Sequence, residues 1–244
     1  RGDVLSLRGL QREFQAQQFK IFKDNTQYKK LTFQKDKTII NKIDKSGCGN
    51  YQLMLVRGLN SVKALDNKKR NFLTAAGVPL IHPLVDLGNY VMLEMGTPMH
   101  VFDFDHLELP LNILFPVSKK TPFQAIGGDT KIVEPSSLTI QDQKGIQAIA
   151  GIIGGHETSV SKSTKSIAVE AAFFNPDKIA NQARKYGLAT DASHRFERGV
   201  DPKLQQRALA RFLFLLKEIA QYDSIGCYEG SSAKLKPRAI ALNV

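Results

Sequence analysis

The stretch SIAVEAAFF, residues 166–174, decides how the chain is read. It is an apolar run of strand length interrupted by one acid, Glu170. Period-two alternation puts Glu170 on a face with Ala168, Ala172 and Phe174. The alanines on either side leave space above the carboxylate. Burying a carboxylate is costly unless something hydrogen-bonds or neutralises it. Glu170 is therefore either bridged to an arginine or directed at a ligand, and the residues alone leave both readings open.

Working outward, further strand patterns fall at 53–59, 111–118, 121–126, 131–133, 137–142 and 146–153, with Gly127-Gly128 as a hairpin turn. Helical patterns lie on both sides. Residues 4–18 form a short helix, 61–76 a helix stopped by Gly77, and 85–96 a helix ending at Gly96, while Pro79 and Pro83 break the chain. Asn175-Pro176 starts a helix ended by Gly187, and Asp201-Pro202 opens a long one whose apolar stripe includes Leu204, Ala208, Phe212, Leu215 and Ile219. Residues 236–244 begin a strand. This order predicts an α+β fold, with a strand-rich central mixed or antiparallel sheet flanked by helices. Residues 19–47, rich in lysine and weakly periodic, read as a linker or an extended arm.

The chain has 244 residues, enough for one large domain. No run of apolar residues reaches membrane-spanning length, and the N-terminus has no signal-peptide pattern. Cys48 and Cys227 make no C-x-x-C, which argues against zinc or a disulfide framework and fits a reducing cytoplasm. The net charge of +11 is uneven. Residues 1–50 carry 11 basic and 5 acidic side chains, 51–180 carry 12 of each, and 181–244 carry 11 and 6. A neutral centre between basic flanks suits a polyanion such as nucleic acid, or only a solvated lysine-rich surface.

Three other stretches carry candidate chemistry. In GTPMHVFDFD, residues 96–105, an extended chain puts His100 on a face with Phe102 and Phe104. Local sequence reads it as a partly buried core histidine or as a reactive group. With no other His or Cys at ligand spacing, no metal site is expected. AIAGIIGG, residues 148–155, satisfies neither a Walker loop nor G-x-G-x-x-G. Its glycines mark close approach of backbone or ligand. TDASHRFERGVDP, residues 190–202, is dense in charge and reads as a polar network locking helices, with Asp201 as a helix cap.

The blocks NYVMLEMGTPMHVFDFD, AIAGIIGG, VEAAFFNP and GLATDASHRFERGVDP, in this order, resemble the β subunit of bacterial phenylalanyl-tRNA synthetase in its central tRNA-editing domain. With the intervening strands the likeness covers about residues 50–225. It implies an excised fragment of a synthetase that hydrolyses tyrosine wrongly joined to tRNA(Phe), with the end of a preceding helical module plus a basic linker at 1–47, the editing domain at 48–225, and a linker and the start of the next module at 226–244. It implies His100 and Asn89 as catalytic residues orienting water and the ester, with His100 also a candidate base. It implies Pro98, Ala150 and Gly151 lining the ring, and Glu170, as a carboxylate, reading the tyrosine hydroxyl. Gly88 stands where the family usually has threonine, and Thr97 where it has an amide residue. The implied partners are tRNA(Phe) and the synthetase α subunit in an (αβ)2 assembly. ATP and magnesium belong to the whole synthetase, none to this fragment. A non-catalytic tRNA-binding or scaffolding module of the same assembly is the alternative.

Overall fold

The computed structural model describes residues 1–17, 28–116 and 119–230. Seven α-helices and eleven strands are formed among them. The strand expected at 236–244 and residues 19–27 of the basic linker lie outside the described residues.

The strand over 166–174 is the middle of the molecule. As β10 (Ile167–Phe174) it lies between β2 (Cys48–Arg57) and β3 (Met99–Asp103), antiparallel to both. β11 (Ser224–Glu229) completes a four-stranded sheet in the order β11-β2-β10-β3. The domain edge expected at 225/226 therefore falls inside a paired strand. A second, five-stranded sheet runs β1 (Ile40–Ile43), β4 (Leu111–Leu114), β7 (Thr139–Gln141), β8 (Ile146–Ile149), β9 (Ile153–Gly154). Its β1–β4 pair is parallel and the others antiparallel. β5 (Thr121–Gln124) and β6 (Thr130–Val133) form a separate ribbon around Gly127 and Gly128, both at positive φ. The α+β class and mixed pairing agree with the sequence reading, but the strands divide between two sheets and a ribbon instead of forming one.

β10 is buried on both faces, which is why its sequence is nearly all apolar. Its odd-numbered face, with Ile167, Val169 and Ala171, packs with Met54 and Val56 against helices. These are α2 (Asn67–Ala75), α3 (Pro83–Met95) and α7 (Gln205–Ile219), which supply Leu73, Leu87 and Phe212. The other face, with Ala168, Ala172 and Phe174, packs with Tyr51 and Leu53 against Leu111, Ile113 and Ile140 of the five-stranded sheet. The layers are thus helix, sheet, sheet. Each fully buried Leu, Val or Phe contributes about 1.5–3 kcal/mol, so both faces hold β10 in place.

Local chemistry explains where elements depart from expectation. α1 (Leu7–Ala16) is capped by Ser6, whose Oγ accepts from Gly9 N. α2 starts at 67 instead of 61 because Asp66 caps it, accepting from Lys69 N, while Ser61 takes positive φ. α3 starts before 85 because Pro83 suits the first turn, where its missing N–H costs nothing. The segment expected as one strand over 146–153 is two strands, turned at Gly151. The helix expected from 176 is split into α4 (Pro176–Ile179) and α5 (Gln182–Lys185), because Asn181 adopts a left-handed conformation between them. α6 (Asp191–Phe196) opens with a capping box between Thr190 and Ser193. Asp201 does not cap α7, which begins after Leu204. Its carboxylate accepts from Lys203 N in the preceding turn.

Candidate active site

The register of the central sheet sets Glu170 directly opposite His100. Directly paired side chains on one face of an antiparallel sheet stand about 4.5–5.5 Å apart at Cβ. Two chemically active groups, 70 residues apart in sequence, are thus neighbours on the face that looks toward the five-stranded sheet. Between the sheets is a cavity of about 230 Å³. A cavity of about 150 Å³ holds benzene, so one phenol ring fits with room beyond it. Ile140, Ala148 and Ile149 form its far wall, and Ala192 and Phe196 of α6 its side.

His100 packs edge-on against Phe102, with ring centroids 4.3 Å apart and planes at 84°. Its Nε2 is buried with no hydrogen-bond partner. Burial pushes the imidazole down to about 4, so it is neutral at pH 7 with a free ring nitrogen. Glu170 is 5% exposed. Burial alone pushes its carboxyl up to about 8, and no basic side chain pairs with it among the described residues. The arginine-bridge reading is thereby removed. The pair Arg195 to Asp191, at 2.7 Å, instead ties α6 to itself, and Arg195 also donates to the Leu5 carbonyl. Burial thus favours the neutral acid at Glu170 at pH 7 over the expected carboxylate. Tyr51, buried on the same face, has its hydroxyl without a partner, and its phenol is raised by burial and then by negative charge on Glu170.

Of the residues singled out from sequence, Pro98, His100, Gly151 and Glu170 line this cavity, and Gly88, Asn89 and Ala150 do not. Ala150 is fully buried in the core beside it. Gly88 and Asn89 are on α3, which packs on the opposite face of the sheet. A Cβ at Gly88 would stand 4.0 Å from the Met99 carbonyl oxygen, an ordinary contact. Asn89 is half-buried, one helical turn past Val85.

Gly151 is needed twice over. Its φ of +70° disfavours any side chain, and a Cβ would lie 3.0 Å from Phe196 and 3.1 Å from Phe174. Gly154 was the residue sequence reasoning passed over. A Cβ there would stand 2.6 Å from His100 Nε2 and 3.0 Å from Ile126 Cδ1, so the bare glycine is what lets the imidazole lie against β9. The glycine-rich block held that signal, but nothing in it names the partner ring. Phe196 was missed because its block reads as a charge network.

The B3/4 domain family model matches residues 47–221. Phenylalanine–tRNA ligase beta subunits are among the similar curated proteins. That of Pseudoalteromonas translucida is 38% identical over 98% of this chain and 30% of its own length. That of Neisseria meningitidis is 37% identical over 90% and 28%, and that of Mannheimia succiniciproducens 40% identical over 75% and 23%. The chain thus spans under a third of the length of these relatives. An N-terminal fragment of the phenylalanyl-tRNA synthetase beta subunit from Pyrococcus horikoshii has the same fold, with a TM-score of 0.50 at 15% identity, covering 98% of this chain and 65% of that one. The chain belongs to the B3/4 domain family, and over nine-tenths of its length it is similar to the beta subunit of phenylalanine–tRNA ligases.

Proposed function

We propose that this chain is the editing part of a phenylalanine–tRNA ligase β subunit and hydrolyses the ester of tyrosine wrongly joined to tRNA(Phe). The observation that carries the reading is the placing of Glu170 beside His100 on one wall of a cavity of aromatic-ring size. A pocket built for phenylalanine cannot strongly reject an isostere that adds a hydroxyl, so discrimination needs a second site that requires that hydroxyl. Glu170, with His100 one of the two polar side chains in the cavity lining, supplies the requirement. A tyrosine ring seated there leaves its ester end toward His100, whose unpaired Nε2 orients or deprotonates the attacking water. Asn89 is given no part in the cavity. Synthesis with ATP and magnesium, and association with an α subunit, belong to the whole ligase. Among the described residues no group of three or more His, Cys, Asp or Glu side chains is placed to hold a metal.

The test is deacylation of Tyr-tRNA(Phe) and Phe-tRNA(Phe) by the chain and its Glu170→Ala variant. At pH 7, where Glu170 is mostly neutral, the lost hydrogen bond of about 0.5–1.5 kcal/mol corresponds to about a 2- to 12-fold loss for the tyrosyl ester. Above pH 8 the carboxylate makes a charge-assisted bond of about 1.5–3 kcal/mol, and the loss grows to about 10- to 150-fold. Phe-tRNA hydrolysis changes little at either pH. Equal losses for both esters would remove hydroxyl recognition from Glu170, and no deacylation at all would leave a scaffolding module.

Gly154 provides a second check. In Gly154→Ala the added methyl must displace the His100 ring or Ile126, both movable, so the fold survives while the ring shifts. A displacement near 1 Å costs up to about 100-fold in rate. Deacylation of both esters should fall together, with the melting temperature nearly unchanged. An unaltered rate would mean that the ring's position against β9 is immaterial.

A further inference from the structure

Among the described residues, two buried polar side-chain atoms that lack a hydrogen-bond partner, His100 Nε2 and Tyr51 Oη, belong to neighbours of Glu170. His100 stands directly opposite it on β3. On β2, Leu53 is opposite Glu170 and Tyr51 is opposite Ala172, so Tyr51 is the diagonal neighbour on the same face. Diagonal neighbours stand about 7–8 Å apart, within reach of a long aromatic side chain. The corner beside them on β10 is Ala172, which carries only a methyl group. Tyr51 is fully buried. A phenylalanine there would fill the same space. The hydroxyl adds only the cost of a desolvated, unmatched polar group, unless it serves Glu170.

We propose that the Tyr51 hydroxyl is the donor that holds Glu170 when it ionises, fixing one carboxylate oxygen and leaving the other for the hydroxyl of the bound ligand. The proposal rests on the reading of Glu170 as the group that recognises the tyrosine hydroxyl. Tyr51 is absent from the cavity lining, so it is a positioning residue that acts through Glu170. Burial raises its phenol well above the ordinary value, so it stays a donor wherever Glu170 is an acceptor. The competing groups on this face are engaged or distant. Cys48, opposite Phe174, donates its thiol to the Asn50 carbonyl at 3.5 Å. Arg57, at the end of β2, lies over the Phe104 ring, and Tyr228 of β11 is beyond Leu53. His100 is neutral. The residues packed on this face from the other sheet and α6, among them Ile140, Ala148, Ala192 and Phe196, do not titrate.

The test is Tyr51→Phe, which keeps the ring, with thermal melts to verify the fold. Carbon-13 NMR of the glutamate-labelled chain, with the Glu170 signal assigned by its loss in Glu170→Gln, follows this carboxyl with no RNA present. A donor to the charged form favours that form, so in Tyr51→Phe the carboxyl should titrate about one pH unit or more higher, roughly a tenfold loss of acidity. Hydrolysis of Tyr-tRNA(Phe) near pH 7.5 should fall about 3- to 10-fold, with the loss shrinking as pH rises, while Phe-tRNA(Phe) hydrolysis stays within about twofold. On a Glu170→Ala background the same exchange should change neither rate, because the group it acts through is gone. An unmoved Glu170 titration would overturn the proposal. So would an equal loss for both esters, or a loss that persists in Glu170→Ala, since either makes Tyr51 a packing residue. If Glu170→Ala slows both esters alike while the titration still moves in Tyr51→Phe, the hydroxyl-recognition reading falls and the link between Tyr51 and Glu170 stands.

Discussion

His100→Ala is expected to slow deacylation of tyrosyl and phenylalanyl esters by a common factor, on the order of 10²–10⁴, the range for a positioned proton-transfer group. In the proposed function the two substrates differ only at the ring end, which Glu170 reads, whereas His100 acts on the ester. Its role depends on a ring nitrogen kept free and unprotonated. Burial provides both, holding the imidazole near 4 with Nε2 unpartnered. The rate of the unsubstituted chain should therefore be insensitive to imidazole protonation between pH 6 and 8, and should fall as pH drops toward about 4. Rates measured for both charged tRNAs, alongside thermal melts, check this. A variant that loses tyrosyl hydrolysis alone would place His100 at the wrong end of the substrate.

Glu170→Gln is expected to stabilise the folded chain, and to do so only away from acid. The carboxyl has an ordinary value of 4.5 and is held near 8 in the fold, so the folded state retains a proton that the unfolded state gives up. Below about pH 4.5 both states are protonated and the group is neutral in energy. Between there and about pH 8 the unfolded state gains from ionisation and stability declines. Glutamine, uncharged throughout, does not suffer this decline. The difference reaches on the order of 4 kcal/mol by pH 8, or about 10 °C in melting temperature for a chain of this size. Melts of the two proteins should coincide at pH 4 and separate as pH rises. A separation that is the same at both ends of the range would mean that Glu170 is ionised and solvated in the fold. In the proposed function that cost is carried for what Glu170 binds, not for stability.

Much of this arrangement was legible in the sequence, and what was not is physically specific. Alternation alone placed Glu170 between Ala168 and Ala172 on one face, and His100 with Phe102 on one face. Both hold in the sheet. That the two faces are the same face depends on the register of β3 against β10, a pairing across 70 residues that no local pattern encodes. The break at Gly151 was hidden because AIAGIIGG is apolar throughout, and only the positive φ at Gly151 separates its strands. Asn89 was placed at the cavity by resemblance, whereas its helix docks on the opposite face through Leu84, Leu87 and Val91. The split between α4 and α5 turns on one left-handed residue, Asn181, within an otherwise helical pattern.

The parity of β10 has a consequence for how such a domain can change over generations. From Ile167 to Ala172, even-numbered positions meet the cavity side and odd-numbered ones pack on the helices. Selection can therefore retune what the cavity accepts by exchanging residue 170 and its even neighbours, while Ile167, Val169 and Ala171 preserve the scaffold untouched. Inheritance of the architecture and drift of its specificity run on alternate letters of a single eight-residue strand.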